Sequence, residues 1–187
     1  MELLRGASRA LGKAETALAQ LSALAMLLIM LVVVADVALR YLFSSPLTFS
    51  YDLISMYLVV VVFYFAMPDT LNRHGHIAID FFHPWMPTRM RFAGEAIGYA
   101  AGTVVMALIA WKLSGRAWTA FVRAEVPATT IPWPIWLSIL PAAIGSWLFA
   151  ARCLYRCVGH LASLVAGRAL VELPPPPITA AGEEQHP

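Results

Sequence analysis

Charge is scarce in this sequence, and where it is missing narrows the possible functions. Charged residues make up 13% of the 187 positions, against roughly 25% in a soluble globular domain. Four apolar stretches, at about 18–39, 47–67, 92–111 and 131–154, carry no ionisable side chain in their middle parts. A carrier or pump that works alone places such groups near the bilayer centre, to replace the water of its substrate or ion. Their absence argues against a self-sufficient ion-coupled transporter. Histidine is missing from the same stretches: His74, His76 and His83 fall between the second and third, His160 follows the fourth and His186 is near the end. A haem anchor subunit needs histidines inside its helices, so none is expected here. The two cysteines, Cys153 and Cys157, stand one helical turn apart, but no histidine or further cysteine pair completes a zinc set, and they read as small packing residues. "RHGH" at 73–76 likewise lacks a third ligand. Neither a nucleotide-binding glycine signature nor a serine-histidine-aspartate arrangement is present. No catalytic residue, cofactor, metal or nucleic-acid partner is expected.

What the chain has in abundance is apolar surface, 60% of its residues. Each of the four stretches matches the roughly 20 residues that cross a hydrocarbon core about 30 Å thick. The expected fold is all-α, an integral membrane protein with four transmembrane helices in a domain spanning residues 1–157. Residues 158–187 form a tail, proline-rich and polar in "LPPPPITAAGEEQHP" and expected to be disordered from about 173. The first stretch comes after Arg5, Arg9 and Lys13, as a secretory signal would, yet its apolar run exceeds the 7–15 residues of a signal core and three more spans come after it. It reads as a retained helix.

Orientation is set by lysine and arginine placement. With the N-terminus cytoplasmic, nine basic residues lie inside (Arg5, Arg9, Lys13, Arg73, Arg89, Arg91, Arg152, Arg156, Arg168) and four outside (Arg40, Lys112, Arg116, Arg123). Both termini are therefore expected inside. Trp133 and Trp136 then belong to an outer aromatic belt, beside the helix-entry prolines Pro132 and Pro134.

Packing signals are also present. Gly94, Gly98 and Gly102 recur every fourth residue on one face of the third span, where small residues let another backbone approach. Pro141 removes one hydrogen bond from the fourth helix and is expected to kink it. Between the first two spans, "RYLFSSPLTFSYDLI" at 40–54 puts polar residues into a corner. Asp36 and Arg40 are one turn apart in the favourable acid-before-base order, Asp52 returns at a similar depth and Pro46 restricts the turn, so Arg40 is expected to be held by the two carboxylates at the outer surface.

The pattern Arg40-x-x-Phe43-x-x-Pro46-x-x-Phe49-x-x-Asp52 resembles the corner between helices one and two in the small membrane subunit of tripartite ATP-independent periplasmic (TRAP) transporters. There the spaced residues usually read Arg, Phe, Pro, Trp, Glu, so Phe49 and Asp52 keep the aromatic and acidic characters with smaller side chains. "NRHGHIAIDFF" is similar to the family's turn after helix two, through Arg73, Gly75, His76 and Asp80, and "IPWPIWLSILPAAIG" to its entry into helix four. The likeness covers about residues 15–157. It implies a bacterial inner-membrane protein that scaffolds a large multi-span permease subunit. That subunit takes up an organic acid, delivered by a periplasmic solute-binding protein, on a sodium or other cation gradient. Membrane lipids are the remaining expected partners. An anchor subunit of another inner-membrane complex, or a small homo-oligomeric exporter, would show similar helix packing without these motifs.

Overall fold

A computed structural model of the chain describes residues 2–73, 75, 87–128 and 132–166. They are mostly helical, with no strand among them. Four helices are long and apolar enough to span a membrane. We label them α1 (Glu2–Phe43), α2 (Ser50–Asn72), α3 (Thr88–Val122) and α4 (Trp136–Ala166).

The helices overrun the apolar stretches that nucleate them. The 42 residues of α1 extend about 63 Å at 1.5 Å per residue, twice the hydrocarbon thickness. Helix α3 continues past residue 111 to Val122. Helix α4 continues to Ala166, so residues 158–166, assigned to the tail by sequence, are helical. The reason is visible in its buried face: Gly159, His160 and Ser163 are covered by neighbouring structure, continuing a row that begins at Ala142. At the other end α4 begins at Trp136, after the non-helical Pro132 and Pro134. Pro141 lies inside the continuous helix.

The helices pack in the order α1, α2, α4, α3, with α1 also touching α4 lightly. Helix α4 is thus the hub. Its Ala142, Ser146 and Ala150, each four residues after the last, are buried. Beside them Gly145 meets the backbone of α2 so closely that a Cβ there would lie 2.2 Å from the carbonyl oxygen of Tyr64. Small residues therefore set the α2–α4 separation. Between α1 and α2, the buried Ser22 hydroxyl donates to the Val62 carbonyl at 2.8 Å.

The first six residues after the opening turn of α2, Leu53–Leu58, form a π-helical segment. Such a segment adds a residue to the turn and rotates the remainder of the helix about its axis. The α2 helix closes after Asn72, where the Gly75 N–H donates to the Thr70 carbonyl five residues back, at 2.8 Å.

Candidate functional site

Two polar clusters lie at opposite ends of the bundle. The corner end carries the α1–α2 turn and the start of α4; the terminal end carries the beginning of α1 and the end of α4.

At the corner end, Asp36 performs two tasks. One oxygen accepts from the Arg40 guanidinium at 2.8 Å, and the other accepts from the Leu47 backbone N–H at 2.7 Å. The carboxylate is largely covered while the Arg40 side chain is mostly exposed. Asp36 therefore ties the end of α1 to the incoming chain, a job the one-turn spacing with Arg40 did not disclose. Pro46 is exposed in the turn, Ser44 takes a left-handed backbone at φ 51°, and Phe49 occupies the N-cap of α2. One of the two acids expected at Arg40, Asp36, pairs with it. Asp52 lines a small cavity with Phe49, Leu53, Tyr57 and Trp133.

Tyr57, inside the π-helical segment, joins this corner to α4. Its hydroxyl donates to the Trp133 carbonyl at 3.0 Å and its ring meets the Trp133 ring edge-on at 5.5 Å. Trp136 packs edge-on against Phe121 at the end of α3, also at 5.5 Å. The two tryptophans assigned to an aromatic belt thus also fasten α4 to its neighbours. Just past α3, Glu125 accepts from Arg116 at 2.6 Å, and that hydrogen bond holds the Glu125 carboxyl below its usual range.

At the terminal end the chemistry is buried. Arg152 on α4 donates through two nitrogens to both oxygens of Glu15 on α1, one bond measuring 2.6 Å, and both side chains are almost inaccessible. One turn on, the Arg156 guanidinium donates to the Tyr99 hydroxyl at 2.9 Å and to the Asn72 carbonyl at 2.8 Å, linking α4 to α3 and to the end of α2. His160 lies fully buried in α4, stacked parallel to the Tyr99 ring at 5.5 Å, with the Phe92 ring tilted against it at 6.3 Å. His160, read from sequence as following the fourth span, lies within α4, and Arg152 and Arg156, counted among the inner basic residues, are buried. Glu15 and Tyr99 were not foreseen. The available signal was two arginines one turn apart on an apolar face, which require partners on facing helices.

The glycine row of α3 is only partly engaged within the chain. Gly94 and Gly98 meet nothing within 4 Å of a would-be Cβ, and only Gly102 approaches another helix, with Cys153 Sγ at 3.4 Å. Among the described residues, the Gly94–Gly98 part of the row packs against no other helix. It floors an open groove of about 390 Å³ whose walls include Leu71, Tyr99 and Phe149. Arg73 pairs with the buried Asp69 at 2.7 Å. His76 and Asp80 lie outside the described residues. Cys153 and Cys157 are buried free thiols, and no group of three or more potential metal ligands occurs among the described residues.

The clusters join helices to one another. No curated protein and no solved structure gives a match to the chain. Residues 29–163, most of the chain, match the family model described as tripartite ATP-independent periplasmic transporters, DctQ component, a transporter family rather than an enzyme family. The stretch includes the corner, the tyrosine–tryptophan fastening and the arginines of α4. On that match the chain belongs to the DctQ family, as a small permease subunit of a TRAP transporter in the bacterial inner membrane, a membership that implies a large permease subunit and a solute-binding protein as partners.

Proposed function

We propose that this subunit braces the large permease subunit and helps dock the periplasmic solute-binding protein during cation-coupled uptake of an organic acid. The observation that carries the reading is the absence of ionisable residues from the middle of all four spans, in a chain of a transporter family. Such a chain has no polar path of its own, and its charged groups serve helix junctions instead. The direct test is reconstitution. Alone in vesicles under a sodium gradient, the protein moves no organic acid; with the large subunit and loaded binding protein, uptake appears. Accumulation by this chain alone overturns the bracing role.

The open groove over Gly94 and Gly98 is the place where a helix of the large subunit fits. It has a backbone-deep floor and no described residue of this chain fills it. Gly98→Leu is therefore expected to leave the melting of the isolated chain unchanged and to lower recovery of the large subunit on co-purification. Wild-type recovery would turn this row towards lipid.

Both termini are placed in the cytoplasm, which puts the corner end towards the solute-binding protein. With Arg152 and Arg156 removed as buried structural residues, the basic count remains seven against four (9 − 2 = 7). In a background lacking Cys153 and Cys157, single cysteines at Ser45 and Ala128 should react with an impermeant thiol reagent applied from the periplasm, and one at Ala180 should not. The reverse pattern inverts the topology.

A further inference from the structure

Lys112 borders the third apolar stretch in the sequence, but in the fold it stands inside a helix that continues to Val122. The contacts of α3 with its neighbours fix the depth of this residue. Tyr99 is held by the Arg156 guanidinium, which also donates to the carbonyl of Asn72, the last residue of α2. Phe121 packs against Trp136, the first residue of α4. Non-helical backbone is not tolerated against lipid inside the hydrocarbon core, so the core lies between these two levels. Along α3 they are about 33 Å apart at 1.5 Å per residue, which matches a core about 30 Å thick. Lys112 is about 14 Å from the Phe121 level and about 20 Å from the Tyr99 level, within about 3 Å of the middle. Counted among the outer basic residues by sequence, it stands in the membrane interior once the helices are assembled.

Its side chain faces away from the bundle. Lys112 is exposed, as are Val105 and Leu108 on the turns before it, while Ala110 on the opposite side of α3 is fully buried. One outward-facing cation leaves this chain without a polar path of its own. A lipid phosphate is out of reach. Cα–Cβ bonds in a helix tilt towards its N-terminus, which for α3 is the terminal end, so the side chain starts away from the nearer surface, and a four-carbon stem cannot cover about 14 Å. Arg116, one turn nearer the corner, pairs with Glu125. Among the described residues no acid pairs with Lys112. A charged side chain near the bilayer centre is costly against lipid and is met by a partner instead.

The position of Lys112 on α3 indicates where that partner comes from. It lies about five turns from Gly94 at 3.6 residues per turn, and therefore on the same face. Gly98, Val105 and Leu108 continue the exposed stripe between them. A helix seated over Gly94 and Gly98 and running along α3 passes Lys112.

We propose that the large subunit presents an aspartate or glutamate to Lys112, from a membrane helix lying along this face of α3, so that an ion pair joins the two subunits near the middle of the bilayer. The inference rests on the bracing role and adds the chemistry and depth of the contact.

The test uses the complex of the full chain with its large subunit in the membrane. Dicyclohexylcarbodiimide enters the bilayer and activates a carboxylate, from which a neighbouring amine displaces the urea to form an amide. It should link the subunits through Lys112 to an acid in an apolar segment of the large subunit, located by mass spectrometry. Lys112→Arg keeps the charge and should keep wild-type recovery of the large subunit on co-purification while abolishing the cross-link. Lys112→Glu should lower that recovery at least tenfold and Lys112→Leu severalfold, both with unchanged melting of the isolated chain, because the residue is exposed there. Changing the cross-linked acid to lysine should restore recovery with Lys112→Glu. Wild-type recovery with Lys112→Glu overturns the ion pair and leaves the bracing role standing, as does the lack of any cross-link through Lys112. If the wild-type chain itself recovers no large subunit, the bracing role falls and the ion pair with it.

Discussion

Helices α3 and α4 each carry a row of small residues at four-residue spacing, with opposite outcomes. On α4, Ala142, Ser146 and Ala150 are buried, and the neighbouring Gly145 lies against the α2 backbone. On α3, Gly94 and Gly98 face open space. Small residues at this spacing permit a close approach; they do not supply the neighbour. The difference lies in order. Helix α4 stands between α2 and α3 and is covered on two sides, while α3 is at the edge of the row. The charged residues obey the same rule. Arg152 and Arg156, on the hub, are buried and held by other helices, while Arg40 on the peripheral α1 is mostly exposed and paired with a residue of its own turn.

The largest effect is expected where the hub buries charge. Arg152→Leu leaves Glu15 without a partner in a covered site, and removal of one member of a buried pair commonly costs about 3–5 kcal/mol. Replacing both, Glu15→Leu with Arg152→Leu, should recover most of that loss, because a well-packed apolar pair is often as stable as the ion pair it replaces. Unfolding in mixed micelles by added SDS, followed by tryptophan fluorescence, measures both. A double variant as unstable as the single one would mean that the buried carboxylate is not the source of the cost.

Next comes the glycine contrast itself. Gly145→Val puts a side chain where only 2.2 Å separates an added Cβ from the Tyr64 carbonyl oxygen. Because the obstacle is backbone, the cost is expected near the top of the usual overpacking range of about 1–3 kcal/mol. Gly98→Val, which meets nothing within 4 Å, should stay within about 0.5 kcal/mol of wild type in the isolated chain. Similar melting shifts for the two would erase the distinction between a filled row and an open one.

Much of this architecture can be read before folding is considered, because it is set by length and polarity. Four apolar runs dictate four helices, and the Asp36–Arg40 spacing dictates a one-turn ion pair. The buried pair of Glu15 with Arg152 could not be read so directly. Its partners are 137 residues apart, and no local period links them. The glycine row shows the converse limit. Its spacing is local and visible, but the identity of its neighbour depends on helix order, which sequence periodicity does not encode. His160 escaped for a third reason: a polar residue beyond an apolar run reads as surface until Tyr99 and Phe92 are brought over it by α3.

At the corner end the effects should be smaller and unequal within one ion pair. Asp36→Ala removes the acceptor of the Leu47 N–H as well as the partner of Arg40. A backbone donor deprived of its acceptor costs about 1–3 kcal/mol when buried, and the part-exposed corner places the expectation at about 1–2 kcal/mol. Arg40→Ala should cost at most about 1 kcal/mol, as exposed ion pairs do. The same SDS titration separates them. Equal losses would assign the corner's stability to the ion pair rather than to the carboxylate's hold on the backbone.

The smallest expected change is a gain, at the edge helix. Helix α3 ends with Ala124 at φ 47°, the left-handed conformation, while the Glu125 N–H donates to the Ala120 carbonyl five residues back at 3.0 Å. This is a Schellman-type closure, whose left-handed position is usually glycine because a Cβ is crowded there. Keeping alanine in that conformation costs about 1–2 kcal/mol, and glycine gives back part of the difference through the greater freedom of the unfolded chain. Ala124→Gly should therefore stabilise by about 0.5 kcal/mol, a rise in melting temperature of about 1–2 °C for a chain of this size. The substituted residue is exposed, so no packing contact is lost to confuse the result. Ala124→Val, with a branched side chain in the same conformation, should move melting the other way. If glycine lowers the melting temperature, the closure of α3 is not strained, and the edge helix is held at its end as firmly as the hub is along its length.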